Sequence, residues 1–171
     1  MIPTVTKQLE SIRRRLIESV VPELPADAEF AHEQVLLIGA ALEFLIECHE
    51  HEYRYAVIEN HDYRILLDDL TGGGTADVEV AGLLAEQGPA KDDGAIPLQT
   101  ITEQTARMKV AAERLHDRLT TQPPDAAEPH ASALFARTAV RQVEREAAWF
   151  RRAGFTRDAD PIDSVLKGAR S

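Results

Sequence analysis

Glu47-Cys48-His49-Glu50-His51-Glu52-Tyr53-Arg54-Tyr55 is the densest run of chemically capable side chains in this chain. Imidazole and carboxylate can together hold a transition metal, and a thiol beside an imidazole can become a nucleophile. Which chemistry is open depends on which side chains share a helix face. His49 and Glu52 follow Leu45 by four and seven residues, so both return near the phase of the stripe Ile38, Leu42, Leu45. Both are therefore expected to face a bundle interior and touch another helix, with Tyr53 near enough in phase to add its hydroxyl. Carboxylates from other helices, Glu103 and Glu146, would complete a metal set of His49, Glu52, Glu103 and Glu146, suited to iron, manganese or zinc. The plainer reading of His49 and Glu52 is a satisfied polar layer, completed by Arg13 or Glu146, or a seam open to water near a bundle end.

Other patterns carry less. Glu29-Phe30-Ala31-His32 and Glu113-Arg114-Leu115-His116 have the Glu-x-x-His spacing of di-iron bundles. Glu29 sits at a helix start and Glu113 falls on the flank of its apolar stripe, so a solvated surface is expected for both. Cys48 and His49 are neighbours on a helix and do not face each other; Cys48 is expected to be a small buried apolar group. Gly72-Gly73-Gly74 lacks the Lys-Ser/Thr of a phosphate loop and reads as a flexible connection. No nucleophile elbow, zincin helix or Cys-x-x-Cys pair occurs, and no pattern names a cofactor.

The elements that must position these residues are helices. Val5, Leu9, Ile12, Leu16 and Val20 form one stripe at three- and four-residue spacing, ended by Pro22. A second helix starts near Asp27 as N-cap, and its stripe continues through His49, Glu52 and Tyr53 to Ala56, Tyr63 and Leu67. Some 40 helical residues would make a rod of about 60 Å. A bundle of matched lengths therefore predicts a break, placed at Glu59-Asn60-His61-Asp62. A short helix over 77–87, carrying Val80, Leu83 and Leu84, interrupts a mobile connection over 71–97. Thr100 and Glu103 fit a capping box opening a third long helix, with the stripe Ile101, Thr105, Met108, Ala112, Leu115, Leu119. After Pro123-Pro124, a fourth starts between Asp125 and Pro129, with the stripe Phe135 or Ala136, Ala139, Val143, Ala147, Phe150. Arg151 and Arg152 suit its last turn and Gly154 its stop. The tail from about 155 to 171 is expected to be loosely ordered, with one short helix opening at Asp160-Pro161-Ile162-Asp163.

Composition agrees with this outline. The 171 residues are 44% hydrophobic and only 5% aromatic, a balance that favours helix over strand. A net charge of −10 argues against nucleic acid or anionic lipid as a partner. No apolar run reaches the ~20 residues needed to span a bilayer. A single cysteine and an N-terminus without signal-peptide blocks point to a cytoplasmic protein, and the abundance of Arg, Ala and Asp to a GC-rich bacterial genome.

The expectation is an all-α, up-and-down four-helix bundle with short accessory helices, forming one domain over 1–171. Its function is expected to be that of a non-enzymatic accessory or protein-interaction bundle, dimeric, with Val57, Ile58 and Ile65 as candidate partner surface. The rivals are a metal-binding, oxidative bundle and a bundle holding a small apolar ligand with tyrosine hydroxyls as polar handles.

Overall fold

A computed structural model describes residues 2–72, 77–89, 95–121, 128–151 and 158–168, without the side chains of 128 and 129. All regular structure among them is helical. The helices are α1 (Val5–Arg15), α2 (Glu29–Cys48), α3 (Glu52–Thr71), α4 (Val78–Ala85), α5 (Leu98–Thr121), α6 (Glu128–Trp149) and α7 (Ile162–Gly168). The chain divides into two compact units. One comprises Met1–His51 with Ala147–Ile162, the other Glu52–Glu146 with Asp163–Ser171.

The first unit is built on an antiparallel hairpin of α1 and α2. Thr4 caps α1, its hydroxyl accepting from the Lys7 N–H at 3.3 Å, and Arg13, Arg14 and Arg15 occupy the last turn, where cations suit the helix dipole. The winding then widens into a π-helical turn at Leu16–Val20, where the Val21 N–H reaches back to the Leu16 carbonyl, and tightens into a 3₁₀ turn at Val21–Glu23. Pro22 thus sits inside the final turn and α geometry ends earlier, at Arg15, because a proline without an N–H cannot supply the next α-type bond. Asp27 is not the cap of α2; Ala28 holds that place, without a side-chain hydrogen bond.

Helix α2 passes into α3 through a 3₁₀ turn at His49–His51. The winding does change along this long helical stretch, but not where the length argument put the break. Glu59 to Asp62 lie inside α3. Asn60 is fully buried there; its amide donates to Thr105 Oγ1 at 3.1 Å and to the Ile101 carbonyl at 3.5 Å, and its oxygen accepts from Arg64 Nε at 2.9 Å. Asn and Asp interrupt helices when they bond their own backbone. Here Asn60 reaches α5 and Asp62 reaches α6, so the helix continues.

The second unit holds the apolar core. Leu66 and Leu67 of α3, Val80 and Leu83 of α4, Met108, Ala111, Ala112 and Leu115 of α5, and Leu134 of α6 pack together. Ala56, Val57 and Ile101 form a second cluster, with Tyr53, Ile96 and Leu98 against it. The expected α5 stripe is the observed one from Ile101 to Leu115. Its start is not: Pro97 precedes the first helical residue and its carbonyl takes the Ile101 N–H at 3.2 Å, so Thr100 lies inside the helix and the capping box does not form. Asp77 caps the predicted α4, its carboxylate accepting from the Val80 N–H. Arg118 donates to that carboxylate at 2.6 Å; this bond and the Val80 N–H hold the Asp77 carboxyl below its ordinary range.

On α6 the expected stripe holds at Phe135, which packs against the core, and fails at Ala139, Val143 and Phe150. Ala131, Leu134, Thr138, Arg145 and Ala148 are buried, while Ala139, Val143 and Phe150 are exposed. In the tail, α7 forms as expected, yet Ile162 and Leu166 are almost wholly buried, and Arg54 Nη2 donates to the Leu166 carbonyl at 2.8 Å. Gly73-Gly74-Thr75, Pro123-Pro124, Arg152 and Gly154 lie outside the described residues.

Candidate interaction face

His49 follows the last residue of α2 and is half-buried against α1: its Nε2 lies 3.3 Å from Thr6 Oγ1 and its Nδ1 is 2.8 Å from the Leu45 carbonyl. Thr6 Oγ1 donates to Glu50 at 2.7 Å. The contact of His49 with another helix, expected with helix 1, 3 or 4, is present with α1. Glu52 is exposed, which corrects the reading that placed it inside. Two causes act together. Ile38 and Leu45, the phase references, are themselves about half exposed. In addition, a 3₁₀ residue advances about 120° instead of 100°, so three of them turn the seam by roughly 60°.

The other named residues have partners within their own units. Tyr53 donates to the Ile96 carbonyl at 3.1 Å. Glu103 is exposed and accepts from Gln99 at 2.9 Å; Glu146 is exposed and accepts from Gln142 at 2.8 Å. Arg13 pairs with Glu43, not with His49 or Glu52. Among the described residues no three His, Cys, Asp or Glu side chains stand together as metal ligands would. Cys48 is buried, its thiol 3.5 Å from the Trp149 carbonyl.

The polar layer that was sought at His49 exists, but elsewhere. It bridges α3, α5 and α6 inside the second unit. Arg145 Nη1 donates to Asp62 Oδ2 at 2.6 Å, Arg141 Nε lies 3.3 Å from Asp62 Oδ1, and Arg145 Nη2 donates to Gln142 Oε1 at 2.9 Å. The Gln142 amide in turn reaches Glu59 at 2.7 Å and the Tyr55 hydroxyl at 3.1 Å. Lys109 closes the far side, 2.8 Å from Glu59 and 5.4 Å above the Tyr63 ring. Burial, with Glu59 next in weight, pushes the Tyr55 phenol up to about 12, and burial raises Tyr63 as well. Every charge in this layer faces an opposite one, which is what a structural layer requires.

The unexplained feature is apolar. The first unit buries only Leu42, Cys48, Ala148 and Ile162 among its described apolar residues, and α1 buries none. Its large side chains are left in water: Phe30 and Leu36 are each 74% exposed and Leu37 57%, with Val5, Ile12, Ile38 and Leu45 near half. Arg13–Glu43 and Thr6–Glu50 fix α1 and α2 as antiparallel and tell which sides meet. By helical phase Val5 and Ile12 on α1 share a side of the hairpin with Ile38 and Leu45 on α2, while Phe30 and Leu37 turn away from α1, toward the side of α2 that carries Phe44. The last turns of the α2 side are covered within the unit, where Phe44 stacks on Phe150 at 5.8 Å and meets Trp149 edge-on. The rest is open. Val57, expected as partner surface, is instead core at 3% exposure, Ile58 is half-buried, and only Ile65 is exposed.

Sequence reasoning missed this face because it treated every apolar stripe as core. Leu36-Leu37-Ile38 held the missing signal: three successive large apolar residues span about 200° of a helix and cannot all face one neighbour. No protein-family model, curated protein or solved structure matches the chain. No helix among the described residues is long and apolar enough to cross a membrane.

Proposed function

We propose that this protein is a non-enzymatic interaction module and that the α1–α2 face is its working surface. The observation that carries the reading is the exposure of large apolar side chains along the hairpin: Phe30, Leu36, Leu37, Ile38 and Leu45 on α2, Val5 and Ile12 on α1. So many large apolar side chains in water on two neighbouring helices mark a binding surface more readily than scattered single ones would. The chemistry elsewhere supports the same reading: Asp62 and Arg145, and Glu59 and Lys109, are engaged with one another, and His49 is held by Thr6 and the Leu45 carbonyl. An up-and-down bundle of four main helices within the one chain belongs to the same proposal.

A photo-crosslinking residue at position 37, with another at exposed Glu113 as control, tests the proposal on the full chain. Protein-sized adducts are expected at 37 and not at 113, in purified protein or in cell extract. No adduct at 37 under either condition would remove the face as a protein-binding surface.

A further inference from the structure

The contact between α1 and the 3₁₀ turn at His49–His51 constrains where hydrogens sit. His49 Nδ1 lies 2.8 Å from the Leu45 carbonyl, which can only accept, so Nδ1 carries a hydrogen. The Thr6 hydroxyl has one hydrogen and gives it to Glu50 Oε1 at 2.7 Å, because an ionised carboxylate also only accepts. Nε2, 3.3 Å from the same hydroxyl oxygen, then bonds to it only as a donor. All three bonds form together only when both ring nitrogens carry hydrogen, with His49 an imidazolium. A neutral ring that keeps its Nδ1–H leaves Thr6 one hydrogen for two acceptors. We infer that His49 is a pH-operated latch for α1. Protonated, it holds the start of the helix through Thr6 and Glu50; neutral, it costs this junction one bond and lets α1 lift from α2.

Helix α1 is suited to such control because little else holds it. It buries no residue of its own. Its ion pair with α2, Arg13–Glu43, has side chains 39% and 41% exposed, and pairs so open to water stabilise weakly. His49 is 18% exposed, shielded enough for one hydrogen bond to count. Thr6, Leu9 and Arg13 recur at three and four residues, so Leu9 shares the side of α1 from which Thr6 and Arg13 reach across. Lifting α1 therefore also uncovers Leu9, half-buried in the closed hairpin.

The charged groups near His49 come from its own turn, from α1 and from the end of α2. Glu50 is the acid in reach, its Oε1 3.8 Å from Nε2. On α1, Lys7 is exposed, and Glu10, one turn beyond Thr6, lines a cleft with Arg13, Glu43 and Glu47. Glu47 faces Arg151, and Glu52, three residues past His49, is exposed. The polar partners of the ring are thus Thr6, Glu50 and the Leu45 carbonyl. Imidazole is the side chain that changes charge between about pH 5 and 8. The junction is complete at the acidic end of that window and loses a bond as pH rises through it.

Amide exchange along the full chain, corrected for the intrinsic effect of pH on exchange, tests the latch. Between about pH 5.5 and 8, protection at Leu9 to Arg15 should fall about tenfold, the worth of one hydrogen bond, while Leu66 and Leu67 in the core serve as internal reference. His49→Gln, whose amide nitrogen donates at every pH, should hold α1 protection constant across the window. Thr6→Val should hold it at the low, alkaline level throughout. Protection of α1 in the unaltered chain that does not change with pH would overturn the latch. So would a change that persists undiminished in His49→Gln, since another group would then be responsible. The latch is independent of what the apolar sides of the hairpin bind, so the crosslinking result at position 37 does not bear on it.

Discussion

Arg145 and Asp62 meet through a 2.6 Å bond from Nη1 to Oδ2, with both side chains almost wholly withdrawn from water. Arg141 stands on the other carboxylate oxygen and Gln142 receives the second Arg145 nitrogen, so α3 is tied to α6 by charge at the level where its neighbours Leu66 and Leu67 are tied to α5 by apolar contact. A buried ion pair of this kind adds little net stability over an apolar pair, yet removing one member leaves the other charge stranded.

Asp62→Ala is therefore expected to destabilise the protein by about 3–5 kcal/mol in urea unfolding, because Arg145 keeps its charge and loses its partner. Asp62→Leu combined with Arg145→Met should cost less than Asp62→Ala alone. Additive losses in the pair of variants would show that the two residues do not act together.

Asn60→Ala should cost roughly 1–3 kcal/mol, since Thr105 and Arg64 each lose a partner in a site closed to water. Loss of structure elsewhere in α3 is not expected. Amide exchange resolved along α3 would check this; protection should fall first near Arg64.

Gly88 lies against that same arginine. A methyl group there would come 2.8 Å from Arg64 Nε and push the guanidinium away from Asn60 and from the Leu84 carbonyl, to which it donates at 3.2 Å. Gly88→Ala is expected to destabilise by about 1–2 kcal/mol. The effect should largely vanish in an Arg64→Met background, and an unchanged penalty there would assign it to the backbone instead.

Tyr55 makes stability depend on alkaline pH. Its phenol holds its proton up to about 12 in the folded chain against 10.0 in the unfolded one. The native state thus binds the proton more tightly, and the stability it contributes is complete below pH 10 and is lost as pH rises from there towards 12. Absorbance titration of the native protein should show Tyr55 and Tyr63 ionising later than a free phenol. Tyr55→Phe should flatten the fall in stability over that window; an unaltered alkaline profile would mean the phenol titrates normally.

How much of this was legible depends on whether apolar residues marked the buried side. On α5 they did, and Ile101, Met108, Ala112 and Leu115 are buried as the spacing requires. On α6 the buried side carries Thr138 and Arg145, so the apolar Val143 drew the phase to the solvent face. Polar core residues are invisible to a hydrophobic period, and Asn60 and Asp62 even read as helix breakers because their partners lie more than 40 positions away in the sequence. Phase alone placed His49 against another helix, and α1 is the one it meets. Glu52 was not, because the 3₁₀ turn before it leaves no signature in composition.

Helix α1, which buries no residue of its own, also sets a clock. In a lone hairpin its amides would open and exchange hydrogen with solvent through local fraying, on a timescale independent of how long the α3–α5 core survives. Protection at Leu9 to Arg15 is therefore expected to be lost well before protection in the α3–α5 core, so the molecule has two kinetic regions: a slow one kept closed by its own packing, and a fast one open to solvent.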